Sequence, residues 1–162
     1  MENSLRPRVV QRDEPPEYSF FGRRTWFKAT GEETGGTYGL VEHLIVPGDA
    51  STWHIHHAED ETFYVVEGTL AIGVGEERSM VGAGGYAFGP RGIPHGFRNE
   101  GSAAARVLLA TPAGFERFVR ALAVPIGPET PHPEATDMAS SWPWPMSIEL
   151  RSWGRSGNSR LP

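Results

Sequence analysis

A chain of 162 residues is long enough for one well-packed domain and too short for two of ordinary size joined by a linker. A net charge of -5 without any long Lys/Arg run excludes the electrostatic footprint of a nucleic-acid binder, and no apolar run approaches the length of a membrane span. With no cysteine, disulfides, thiolate nucleophiles and Cys-based zinc sites are excluded, so any bound metal rests on histidine and carboxylate.

The expectation is a soluble, cytoplasmic protein with no nucleic-acid or membrane partner. Residues 1–15, charged and Pro-containing, read as an N-terminal arm, and residues 16–124 as the single domain. Within that domain short apolar runs alternate with Gly, Pro, Asp and Asn, which predicts an all-β sandwich or barrel. The predicted strands are 25–29, 38–46, 52–56, 62–66, 70–74, 86–88, 96–98 and 106–110, with Gly-rich turns near 35–36 and 82–85. Phe115, Phe118, Val119 and Leu122 then recur at spacings of three and four, the pattern of a short helix packing one face on the outside of the sheet. Residues 125–162 are rich in Pro and polar groups and read as an extended tail. Trp142, Trp144 and Trp153 in that tail predict packing on the domain or on a second copy.

Two segments carry the chemistry. In the first, Gly48 leads to His54 and His56, then Glu61, then Gly68. Residues two apart on a strand share a face, so both imidazoles project together while Ile55 points away. A hairpin then sets Glu61 opposite the pair. In the second, Gly84 leads through Pro90, Arg91, Gly92, Ile93 and Pro94 to His95 and then Asn99, so His95 also follows a turn. Three neutral imidazoles and one carboxylate suit a borderline divalent cation and leave coordination positions open to water or substrate, as a catalytic metal requires.

Position for position, these segments resemble the two motifs of the cupin superfamily, over a span from about residue 27 to 122. The resemblance implies a double-stranded β-helix, or jelly roll, with one metal ion (Fe, Mn, Ni, Co, Cu or Zn) on His54, His56, Glu61 and His95. Gly48, Gly68, Gly84 and Gly92 are then turn residues, as is Asn99. Residues 27–36 and 93–99 are similar to single-domain cupins of the quercetin dioxygenase type. That similarity implies a dioxygenase acting on a phenol or enol, with Glu61 as both ligand and proton acceptor. The same ligand set serves non-redox isomerases, cyclases, decarboxylases and lyases, and a non-enzymatic ligand-binding cupin is the third reading.

The predicted interior faces assign His43, Phe63, Val65, Phe88, Phe97 and Leu109 to a substrate pocket, an apolar lining suited to a small organic molecule. His57 alternates away from the metal, His132 has no assigned role, and Glu59, Asp60 and Glu67 read as a solvated face. A homodimer is expected, with the arm at 5–10 or the tail covering a sheet edge of the neighbour.

Overall fold

The computed structural model describes residues 5–130 and Pro143. His132, Trp142, Trp144 and Trp153 lie outside the described residues, and with them most of the predicted tail. Among the described residues the strands are β1 (Tyr18–Phe20), β2 (Arg23–Ala29), β3 (Tyr38–Ile45), β4 (Glu61–Glu67), β5 (Thr69–Val74), β6 (Glu77–Gly82), β7 (Tyr86–Gly89), β8 (His95–Arg98), β9 (Ala105–Pro112) and β10 (Val124–Pro125). The helix α1 (Phe115–Leu122) follows β9. No described helix is long and apolar enough to cross a membrane.

Seven strands form one antiparallel sheet in the order β10-β1-β2-β3-β9-β4-β7, and β6-β5-β8 form the second. This double-sheet jelly roll is the expected all-β class. Inward residues of both sheets meet in a core of Ile45, Phe63, Val65, Leu70, Ile72, Phe97, Ala105, Val107 and Leu109. A smaller cluster of Phe27, Val41 and Val119 sits under α1 with Tyr18, Phe20 and Phe115 against it.

The chain passes between the sheets from β4 to β5 at Gly68, with φ 76°. A Cβ there would lie 2.9 Å from the Ala104 carbonyl oxygen and 2.9 Å from Ala105 Cα, so the corner excludes a side chain by both conformation and space. Gly68→Ala is expected to cost about 3 kcal/mol, combining left-handed strain with a backbone clash. Urea unfolding checks it, read as a lowered midpoint with an unchanged slope.

The predicted strand at 52–56 is not a regular strand. The segment runs beside β8 and touches it at two bridges, Ala50 to Arg98 and His54 to His95. Between them Ser51 Oγ accepts the Phe97 N–H at 3.0 Å in place of a backbone carbonyl, which interrupts the ladder. Strands β1, β6 and β10 were not predicted. In β6 the sequence Glu77-Arg-Ser-Met has no apolar alternation, because its edge position leaves both faces largely accessible. β10 pairs with β1, so the first tail residue, Pro125, is held in the large sheet.

The arm lies on its own domain. Glu14 O accepts the Trp26 indole N–H at 2.7 Å, Arg8 donates to Phe27 O at 3.3 Å and pairs with Glu33, and Arg12 pairs with Glu67. Glu67 is exposed, as read from sequence, and pairs with the arm through Arg12.

Candidate metal centre

The site forms where both sheets meet at one end of the barrel. His95 opens β8, and His54 faces it through reciprocal backbone bonds, His54 N–H to His95 O at 3.2 Å and His95 N–H to His54 O at 2.9 Å. Glu61 opens β4 in the other sheet, in register with Gly89 of β7. Gly89 leaves the room that the His95 ring occupies, since a Cβ would lie 3.0 Å from its Cγ and Nδ1. The turn before β8 is tied to the first motif twice. His56 O accepts the Gly92 N–H at 2.7 Å, and the Arg91 guanidinium grips Asp60 through bonds of 3.0 and 2.7 Å. Arg91 holds the Asp60 carboxyl down at about 2. Asp60 is thus a clamp between the two motifs rather than an idle surface charge.

The ligating atoms of His54, His56, Glu61 and His95 all lie within 4.8 Å of one another. Glu61 Oε2 is 3.1 Å from His95 Nε2, 3.6 Å from His56 Nε2 and 3.7 Å from His54 Nε2, while the Nε2 atoms of His54 and His56 are 3.2 Å apart. Adjacent ligands about 2.1 Å from a common ion stand roughly 3.0–3.5 Å apart, so the separations of 3.1 to 3.7 Å come within a few tenths of an ångström of a shell around a single small cation. The tautomers fit as well. His54 Nδ1–H donates to Thr52 O and His95 Nδ1–H to Ile93 O, both at 2.8 Å, which leaves each Nε2 lone pair aimed at the common centre.

Electrostatics at the centre favour a bound cation. Burial alone would raise the Glu61 pKa, but the three imidazoles outweigh it and hold the carboxyl well below the usual range. Burial likewise pulls His54 down, while the bonds to Glu61 and Thr52 O more than compensate and raise it. Both shifts have the same origin, an ionised carboxylate surrounded by imidazoles, which is the charge pattern that a divalent cation would complete.

A cavity of about 380 Å³ opens over the centre, with His54, His56 and Glu61 in its wall. Of the predicted pocket residues it brings in His43, Phe97 and Leu109. Phe63 and Val65 lie instead in the fully buried core beneath, Phe63 edge-on to the His95 ring at 5.9 Å. Phe88 is corrected outright. It pairs with Thr62 on the outer face of the large sheet and is 47% exposed, because the inward position of β7 falls to Ala87 opposite Phe63. His57 is exposed, as its alternation predicted.

Several cavity residues were not foreseen from sequence. Phe20 closes β1 and Phe21 lies in the turn after it, Arg23 opens β2, and Phe115, Phe118 and Val119 come from α1. The helical stripe had been read as core packing; in fact α1 buries Val119 and Glu116, while Phe118 is exposed at the cavity. Glu116 is buried without a cation because its carboxylate accepts the Gly31 and Gly114 backbone N–H groups, each at 2.8 Å. The one available signal was the pair Phe115 and Phe118 after β9, too short a pattern to separate a cavity wall from a core face.

A two-sheet jelly roll with an inward cluster of three histidines and one carboxylate defines the cupin class of protein. Residues 41–111 match the family model of the cupin domain. This stretch is similar to cupin domains, and the fold is the cupin jelly roll. The chain is 32% identical over 81 residues to the tetracenomycin polyketide synthase protein TcmJ of Streptomyces glaucescens, covering 49% of this chain and 54% of that one. It is 30% identical over 92 residues to quercetin 2,3-dioxygenase of Bacillus subtilis, covering 57% of this chain and 27% of that one. The match thus spans about half the length of the first relative and about a quarter of the second. Among solved structures, a protein from Thermotoga maritima described as a predicted oxalate decarboxylase is similar with a TM-score of 0.59 at 20% identity, covering 65% of this chain and 99% of that one. That likeness is one of fold.

Proposed function

We propose that the domain holds one divalent transition metal on His54, His56, Glu61 and His95 and acts as an enzyme, a dioxygenase of small phenolic or enolic molecules. The observation that carries this reading is the convergence of three imidazole nitrogens and one carboxylate oxygen beneath a largely apolar cavity. The similarity to quercetin 2,3-dioxygenase is consistent with it. A metal bound there supplies Lewis acidity toward a hydroxyl or enolate oxygen and, if redox-active, the electron transfer that O2 chemistry requires.

The chain's own residues do the rest. Phe20, Phe97, Phe115 and Leu109 wall an apolar space that favours a planar organic molecule and excludes bulk water. Thr52 O and Ile93 O lock two imidazoles in the tautomer that presents Nε2. Glu61, ionised in this setting, offers an anionic oxygen to a bound cation.

The similarity to a polyketide synthase protein favours a second reading, non-redox chemistry such as isomerisation or cyclisation on a ketone or enolate in the same cavity. Oxygen consumption separates the two. Metal-reconstituted protein is expected to take up O2 with at least one member of a panel of flavonols, catechols and enediols, and Glu61→Ala to abolish the uptake. Full metal occupancy with no uptake across the panel rejects the dioxygenase in favour of the second reading.

A further inference from the structure

On the cavity wall, apart from the metal ligands, stands a buried imidazole whose structural bonds use only one of its two nitrogens. His43, on β3, is 2% exposed and lines the cavity. Its ring stacks on Phe20 at 5.6 Å with an interplanar angle of 16°, which fixes the plane. Nδ1 lies 2.9 Å from Thr25 Oγ1, and the Thr25 hydroxyl lies 3.1 Å from Arg23 O. A hydroxyl has one proton to give. The Arg23 carbonyl can only accept, so it receives the Thr25 proton, and the Thr25 oxygen must accept from His43 Nδ1–H. In a neutral imidazole that leaves Nε2 as a bare lone pair. The ring is neutral because burial, reinforced by the Arg23 charge, lowers its pKa to about 3 despite the opposing pull of Glu61.

Nε2 has no hydrogen-bond partner among the described residues, and it is not among the side-chain nitrogens sealed from solvent. His43 lines the cavity, and with Nδ1 turned to Thr25 we take Nε2 as the nitrogen that faces it. Thr25 is fully buried and its hydroxyl is committed, so the tautomer is built into the fold rather than chosen by the ligand.

We propose that His43 Nε2 is a second recognition point of the cavity: a fixed hydrogen-bond acceptor that selects ligands carrying a hydroxyl or N–H at a distance from the group held at the metal centre. It rests on the reading that the cavity above the metal centre is the substrate site. The polarity of the point is specific. A keto, ether or carboxylate oxygen placed there meets a lone pair and is rejected, whereas a hydroxyl is accepted. His43 is in this sense a substrate-binding and specificity residue, and Thr25 positions it.

Two measurements test it. Long-range proton–nitrogen spectra of the 15N-labelled protein, with and without metal, are expected to show His43 protonated at Nδ1 and bare at Nε2; a proton on Nε2 overturns the proposal. Calorimetric titration of the zinc-loaded protein then compares catechol, resorcinol and hydroquinone with their monomethyl ethers, the three diols differing in the span between hydroxyls. At least one diol is expected to be preferred over its ether, and His43→Phe, which keeps a ring against Phe20, to reduce that preference about tenfold, the worth of one buried neutral hydrogen bond. Thr25→Val, which releases the tautomer, is expected to reduce it in the same direction. Preferences unchanged in both variants, for all three diols, overturn the proposal. The metal-free spectra read the tautomer even if the four-ligand centre proves wrong, so the two failures are distinguishable.

Discussion

His56→Ala and Glu61→Ala are each expected to lose metal affinity by about 100-fold or more while the barrel stays folded. The reason lies in how the centre is divided between sheets. His56 and His54 stand on an irregular segment beside the small sheet, whereas Glu61 begins a strand of the large one. Removing either side opens the cluster and leaves too few donors at the required spacing. The barrel survives because the nine-residue core lies beneath the centre and includes none of its ligands. Elemental analysis after desalting, with thermal unfolding on the same samples, checks both halves of the expectation. Full loading of either variant would mean that the ligands lie elsewhere.

The largest expected stability loss lies one layer away from the metal. Arg23 and Asp49 are buried, and the guanidinium meets the carboxylate through bonds of 2.7 and 2.8 Å and also donates to Ala50 O at 2.5 Å. Arg23→Ala takes the bidentate cation away from a carboxylate that water cannot reach. The expected cost is about 3–5 kcal/mol, or a fall of roughly 10–20 °C in Tm. The attraction between such charges is largely offset by the desolvation of both, so removing both at once is far milder. Arg23→Met combined with Asp49→Leu is therefore expected to recover much of the loss. Calorimetry of the single and double variants decides it; a single variant within 1 °C of the parent would show the pair to be solvated in solution.

The four-residue cluster was legible in the sequence partly from local spacing, while its assembly across the two sheets followed from the resemblance to the cupin motifs. His54 and His56 share a face through a spacing of two, and Glu61 and His95 each begin a strand after a turn. The cavity above it was less so. Alternation separates the two faces of a strand but not the core end of the barrel from its open end, and so Phe63 and Val65 were grouped with Phe97 and Leu109. Phe88 was misplaced by one position in a four-residue strand, where a single-residue error reverses the face. Phe20, Phe21 and Phe118 reach the cavity from a turn and a helix that no strand periodicity connects to it. Arg23 and Asp49 carry no pairing signal at all, since 26 residues and two strands separate them.

Whether one ion sits on His54, His56, Glu61 and His95 is read from X-ray absorption at the metal edge of the reconstituted wild-type protein. One ion per chain is expected, in a shell of light N/O donors at about 2.1 Å with the outer scattering of three imidazoles. Less than a tenth of an ion retained after desalting, or a shell without histidine scattering, would contradict it.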